Sequence, residues 1–305
     1  MTAPAGRLAR LLAAGEFVVT SEIVPPRAAS GASVIEHARG LVGYVDAVNL
    51  TDNPAAGVHM SPLAGARFAH EAGLEPTVQL TVRDRNRLAL TADLLGAWAL
   101  GARNEFCLTG DPIHIGDHAD AAVVGDLSLL DLIALVRRMR EEGVTLAGAQ
   151  IADPPAFAIG VADVPLADAY EPARLEVKLD AGADFVMTQI VYDAERLATW
   201  VDAVRPTGLL ERARVIIGVT PLRSAKQARY MHEHLPGVDV PDRVIAEVEA
   251  AGEDGPAAGL EQAVRLVEAI RGMSVFAGVH VMAMGHDETT RDLVDRTGLF
   301  PRPVV

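Results

Sequence analysis

Cysteine is nearly absent: Cys107 is the single one in 305 residues. That excludes an internal disulfide framework and a zinc site built from several thiolates. Aromatic residues make up only 4% of the chain, which leaves Ala, Val, Leu and Ile to fill the interior. Positive charge is the minority sign, 27 Lys and Arg against 41 Asp and Glu, for a net charge of −14. So acidic a chain repels nucleic-acid phosphates and anionic lipid, and neither is an expected partner. No apolar run reaches the roughly 18–20 residues of a membrane span. The opening MTAPAGRLARLLAAGE is too short and interrupted for a signal peptide and reads as a short helix over residues 1–15, lying across one end of the fold. The expected setting is the cytoplasm. Also missing are G-x-G-x-x-G after the first strand, G-x-x-x-x-G-K-[ST] and H-E-x-x-H. Their absence argues against an open Rossmann sheet, an ATP loop and a helical zinc site.

What is present is alternation. β-rich runs occur at 16–25, 45–52, 75–82, 104–111, 157–163, 184–192, 214–221 and 278–285, most of them continuously apolar at the start. Strands buried on both faces read this way. Helical patterns separate them, for example at 60–72, 86–101, 127–142, 171–182, 193–204 and 223–234, and a longer insertion at roughly 239–272 carries two more. Segment 250–258, AAGEDGPAA, is the best loop candidate within it. Eight such units in 305 residues predict an α/β fold, one (β/α)8 TIM barrel with extra helices at its start and before its eighth strand. No linker or composition break divides the chain, so a single domain over 1–305 is expected.

Chemistry in such barrels gathers at the C-terminal ends of the strands. Here those ends read Ser21-Glu22, Asn49 to Asn53, Gln79-Leu80-Thr81, Thr109-Gly110-Asp111, Thr188-Gln189 and Thr220-Pro221. These polar groups lie inside the apolar runs, where burial demands that they be satisfied, so a shared cavity is expected. Glu22 precedes Ile23-Val24-Pro25-Pro26. Apolar surroundings favour the protonated carboxyl, making Glu22 a candidate general acid; pairing with Arg27 or Arg83 is the alternative. His114 and His118 are four apart in a Gly- and Pro-rich stretch unlike a helix, and no metal is assigned. Lys178 reads as a solvated helix charge. Arg83 can meet an anionic ligand or pair with Asp84. Gln227 and Met231 share one helix face, covering the barrel mouth or simply packing. Cys107 reads as a packed thiol.

The motifs SEIVPPR, VNLTDN, VQLTVRDRNR, LTGDP, KLDAGADFVMTQIVYD and GVTPLRSAKQA, in that order and spread over residues 16–297, together resemble the methylenetetrahydrofolate reductase family, in its short bacterial branch. The resemblance implies a flavoprotein barrel. It reduces 5,10-methylenetetrahydrofolate to 5-methyltetrahydrofolate with a hydride from NAD(P)H, in a ping-pong cycle. It implies catalytic roles for Glu22, as the acid, and Asp111, as its electrostatic partner. Thr51, Gln79, Thr109, Gly110, Asp111, Asp126 and Lys178 fall on the cofactor side. Gln189, Gln227 and Met231, with Glu22 and Asp111, fall on the folate side. The chain departs from the family pattern mostly toward the cofactor: Gln79 replaces a His, Thr109 an Arg, and Ala162-Asp163-Val164-Pro165 a Tyr-Pro stretch. FAD is the implied cofactor, with FMN or direct use of NADH without flavin as alternatives. A barrel reductase for another one-carbon carrier, or a flavin-poor folate-binding subunit of a complex, are the rival functions. A homo-oligomer or an accessory electron-transfer subunit fits the short branch.

Overall fold

In the computed structural model, which describes residues 4–305, every strand follows the last around a closed barrel. The strands are β1 Val18–Ile23, β2 Ala47–Leu50, β3 Pro76–Thr81, β4 Asn104–Leu108, β5 Ala158–Asp163, β6 Phe185–Ile190, β7 Arg214–Val219 and β8 Gly278–Val281. All neighbouring pairs are parallel, and β8 closes on β1 with Val18 opposite Gly278 and Thr20 opposite His280. The expected (β/α)8 barrel is the observed one.

The helices are α1 Arg7–Ala14, α2 Ala32–Leu41, α3 Pro62–Glu71, α4 Arg87–Ala99, α5 Leu129–Glu142, α6 Pro172–Ala181, α7 Ala194–Val204, α8 Leu209–Arg212, α9 Ala225–His234, α10 Asp242–Ala250, α11 Gly255–Met273 and α12 Asp287–Arg296. Their starts are written locally. Ser61, Asn86, Asp193 and Ser224 each accept a backbone N–H of the first turn, and Ser128 with Asp131 forms a reciprocal capping box. No helix among the described residues is long and apolar enough to cross a membrane.

Side-chain parity divides the core in two. Outward residues such as Val19, Val48, Val78, Leu80, Ile159 and Ile217 pack under the helices. Inward residues Val18, Ala47, Phe106, Phe185, Met187 and Ile216 fill the lower barrel, where Leu8, Leu11 and Leu12 of α1 plug its N-terminal end. Burying each such leucine stabilises by about 1.5–3 kcal/mol. The plug is held by charge as well. Glu75 accepts the N–H groups of Arg7 and Leu8 at the start of α1, and Asp46 receives both Arg7 and Arg302. The N-terminal helix thus covers a barrel end, as expected, although it begins at Arg7; residues 1–3 of the expected 1–15 lie outside the described part.

One expectation changes. The insertion was read as two extra helices, but α11 packs on β7 between α7 and α12 and serves as a barrel helix. The added layer is α9 with α10, which share an apolar cluster with Ile190 and Leu222. Segment 250–258, the loop candidate, does hold the connector, a single 3-10 turn at Gly252–Asp254 between α10 and α11. Pro256 sits in the first turn of α11, where its missing N–H costs nothing.

Candidate functional site

At the C-terminal end of the barrel the inward face turns polar. Thr20 and Glu22 of β1, Asn49 of β2, Gln79 and Thr81 of β3 and His280 of β8 share the parity of the buried interior residues below them. Asn49 Nδ2 reaches Met187 Sδ across the barrel at 3.3 Å. The side-chain oxygens Asn49 Oδ1, Thr51 Oγ1, Thr77 Oγ1 and Thr81 Oγ1 are buried with no hydrogen-bond partner among the described residues. Orphaned polar atoms in one region mark a place built to bind something polar.

A cavity of about 410 Å3 opens over β3, β4 and β5, within the size range of small-molecule sites. Gln79, Thr81, Thr109, Gly110, Asp111, Asp163, Tyr170 and Lys178 are on its walls. Gly110 adopts φ +91°, and a Cβ there would stand 3.0 Å from Arg83 Cβ and 3.1 Å from Thr81 Cβ, so only glycine lets this edge approach so closely. Lys178 is no solvated helix charge. Its ammonium donates to Ala162 O at 2.7 Å inside the cavity, and desolvation pulls its pKa down against the attraction of Asp163. Asp163 is pushed up by burial despite Lys178 nearby and the Tyr170 hydroxyl donating to it at 2.9 Å. Asp163 and Tyr170 were not singled out from the sequence. The acid at the end of β5 was visible, but its partner seven residues on lies in an irregular loop without periodicity.

Glu22 does not pair with Arg27 or Arg83. Arg27 goes to Asp117 at 3.0 Å and Arg83 to Asp84 at 2.6 Å. Glu22 instead faces His280, with Oε2 3.9 Å from Nε2 and the carboxyl side chain 20% exposed. The apolar enclosure expected for it is therefore partial. His280 was missed in the sequence, although it is the polar inward residue of Gly278–Val281 and parity could have found it.

The other predicted residues separate. Thr109, Gly110 and Asp111 lie beyond the last residue of β4, and Thr51 and Thr220 beyond β2 and β7, not within the strands as the runs suggested. Asp111 is exposed, and its Oδ2 accepts Ala55 N–H at 2.7 Å. Asp126 stands away from the cavity lining and binds Arg87 through both its side chain and its backbone N–H. Gln189 donates to Pro236 O at 2.9 Å. Gln227 accepts Arg223 N–H at 2.8 Å. Met231 is 1% exposed and belongs to the α9–α10 cluster, with the Tyr192 hydroxyl on its sulfur. Cys107 is fully buried, and burial raises its thiol well above the ordinary range. No group of three or more His, Cys, Asp or Glu that could hold a metal occurs among the described residues.

A closed parallel barrel whose polar residues and cavity gather at the C-terminal face defines a TIM-barrel protein with a candidate small-molecule site at that face. Residues 7–298 match the family Methylenetetrahydrofolate reductase, and the chain belongs to that family. It is 24% identical over 242 residues to methylenetetrahydrofolate reductase 1 of Schizosaccharomyces pombe, covering 74% of this chain and 36% of that protein. It is 22% identical over 268 residues to methylenetetrahydrofolate reductase 2 of Saccharomyces cerevisiae, covering 83% and 42%. The chain thus spans less than half the length of these relatives. Among solved structures, one of an uncharacterized Clostridium thermocellum protein that binds two copies of 5-methyl-5,6,7,8-tetrahydrofolic acid has a TM-score of 0.66. It is 13% identical, and the match covers 96% of this chain and 99% of that one. EDTA monooxygenase from Chelativorans gives 0.57 at 10% identity, covering 94% and 95%. Both likenesses concern the fold alone.

Proposed function

We propose that this chain, working as one reductase domain over 1–305 in the cytoplasm, reduces 5,10-methylenetetrahydrofolate to 5-methyltetrahydrofolate with NAD(P)H. The observation that carries the reading is Glu22. It is a carboxyl on the inward face of β1, partly open at the C-terminal mouth and paired, among the described residues, with no guanidinium or ammonium. An acid so placed can deliver a proton to a ligand above the barrel.

The residues present fit a flavin. A flavin ring offers carbonyls and an N–H along one edge. The Gln79 amide and the unpaired Thr81 hydroxyl line the cavity, with the unpaired Thr51 hydroxyl at the end of the neighbouring strand. Lys178 suits one phosphate. When bound, the flavin supplies hydride storage between NAD(P)H and folate. Glu22 then gives a proton to N10 of the folate, which opens the five-membered ring to an iminium ion. The carboxyl group of Asp111 stands as the electrostatic partner of that cation. Gln189 and Gln227 offer amides to the pterin, and Met231 supports them from behind. FAD is the first choice of cofactor and FMN the second.

A second reading has its own support. Asp111, Asp163 and Glu171 share the cavity wall, and Arg174 is already held by Glu171 at 3.0 Å. That balance opposes the diphosphate of FAD and favours a flavin-poor subunit, or direct use of NADH. The visible absorbance of the purified chain separates these cases: flavin bands support the first reading, and a colourless protein the second.

The test of the acid is Glu22→Gln. Reduction of bound flavin by NADH is expected to persist, while folate reduction falls by about 10²–10⁴-fold. If folate reduction survives, Glu22 is not the acid.

A further inference from the structure

We propose that the cleft between α7, α10 and α11 is a second small-molecule site, built for an apolar α-amino acid. It lies outside the barrel and does not depend on the reading of the mouth as a folate site.

The cleft holds about 190 Å3. That is below the roughly 300–1,000 Å3 of drug-sized sites, so it admits a molecule about the size of one amino acid. Tyr192, Val244 of α10 and Leu266 of α11 give it an apolar lining. The same three residues continue into a chamber of about 20 Å3 against Val219 of β7, with room for one water. The charged lining carries both signs, Glu195 of α7 and Glu247 of α10 beside Arg243 of α10 and Arg265 of α11.

Gln262 sets the head group. Its Nε2 donates to Val244 O and to Glu247 Oε2, both at 3.0 Å, which uses its two N–H groups. Its Oε1 is buried with no hydrogen-bond partner among the described residues. A buried acceptor left empty costs free energy, and this one belongs to a residue that lines both the cleft and the chamber. An ammonium in the cleft donates to it, with Glu247 and Glu195 as countercharge. Glu247 is ionised for this purpose: the Gln262 amide first, and then Arg265, hold its carboxyl below the usual range.

The cations take the other half of the head group. Arg243 meets Asp193 at 3.0 Å and Arg265 meets Glu247 at 2.6 Å. A guanidinium has five N–H groups, so each keeps donors for a ligand carboxylate. A plain carboxylate would leave Gln262 Oε1 and the glutamates unanswered, and a plain amine would leave the arginines so. An α-amino acid carries both charges on one carbon, and its side chain fills the space beside Val244 and Leu266.

The test titrates the full chain by calorimetry with leucine, 4-methylpentanoate and 3-methylbutylamine, the last two each lacking one charge. Leucine should bind saturably and each relative at least about tenfold more weakly, the low end for a charged hydrogen bond. Arg243→Ala, at an exposed side chain, should weaken leucine and 4-methylpentanoate by about tenfold and spare 3-methylbutylamine. Gln262→Met should weaken leucine and 3-methylbutylamine and spare 4-methylpentanoate. Val244→Phe should close the cleft to all three. The 13C-methyl signal of Met231, whose sulfur takes the Tyr192 hydroxyl at 3.8 Å, should shift with leucine. No saturable leucine binding, equal affinity for the three compounds, or a folded Val244→Phe that binds leucine unchanged would overturn the site. Where Val244→Phe does not fold, Arg243→Ala decides, since a uniform effect on all three compounds, or none, overturns it equally.

Discussion

The carboxylate of Asp111 accepts the backbone N–H of Ala55 at 2.7 Å, tying the loop after β4 to the loop after β2. The loop it holds is strained. Asn53, Ala55 and Ala56 have φ of 46°, 51° and 54°, a region that costs an alanine about 1–2 kcal/mol. Asp117 adds a second tie to Val58 N–H, and Gly116 lies so close to Ala56 that a Cβ would come within 2.0 Å of its carbonyl oxygen.

Asp111→Ala should therefore loosen residues 53–58, seen as faster amide hydrogen exchange at Ala55 and Val58, with a stability loss of about 1–2 kcal/mol. Asp111→Asn keeps the acceptor and should leave exchange nearly unchanged while still impairing folate reduction. Equal exchange in all three proteins would show that the contact does not hold the loop.

Lys178 is one of only two lysines in the chain, and its desolvated ammonium faces the cavity. Lys178→Met should weaken FMN and FAD by about 10–100-fold, the worth of a charged hydrogen bond, and leave riboflavin affinity unchanged. Fluorescence titration with the three flavins checks it. A parallel loss for riboflavin would place Lys178 at the ring and not at a phosphate.

Glu105 points outward from β4 and is completely buried, with both oxygens unpaired. Burial above all, then the charge of Asp52, raises it well above the carboxylate range. Below that range both folded and unfolded chains are protonated. As pH climbs, the unfolded chain releases a proton that the folded chain keeps, so stability falls until the folded value is passed. Glu105→Gln removes this slope. Its Tm advantage should grow with pH from near zero at about pH 4, each kcal/mol reading as roughly 2–4 °C at this size. A constant difference across pH would contradict an uncharged Glu105.

Asp126 shows the opposite sign. The Arg87 side chain and the N–H at the start of α4 hold its carboxyl down to about 2. The stabilisation is complete above the ordinary carboxylate value and is lost as pH falls through about 2. Asp126→Asn should therefore have a lower Tm than the unaltered protein near neutrality, and the gap should close in strong acid. If flavin affinity falls with it, the cofactor role suggested by the family is also supported; if only Tm moves, Asp126 serves the helix.

Much of this was legible from residues alone. Eight apolar runs alternating with amphipathic stretches specify a barrel because parallel strands need a helix between them and bury both faces. Helix starts at Ser61, Asn86, Ser128 and Ser224 follow from side chains that bond their own first turn. Strand ends were less legible. The polarity of Thr51, Thr109 and Asp111 is the same whether they close a strand or begin a loop, and only the ladder of hydrogen bonds stops at Leu50 and Leu108.

Sequence, then, determined the order and kind of elements, a helix over one barrel end and part of the polar rim, since periodicity and capping act over a few residues. Tertiary structure decided the partners. Glu22 meets His280, 258 positions away, Lys178 turns inward beneath β5, and Arg27 leaves Glu22 for Asp117. Such pairings depend on barrel closure and on how each helix docks, and neither is written in local pattern.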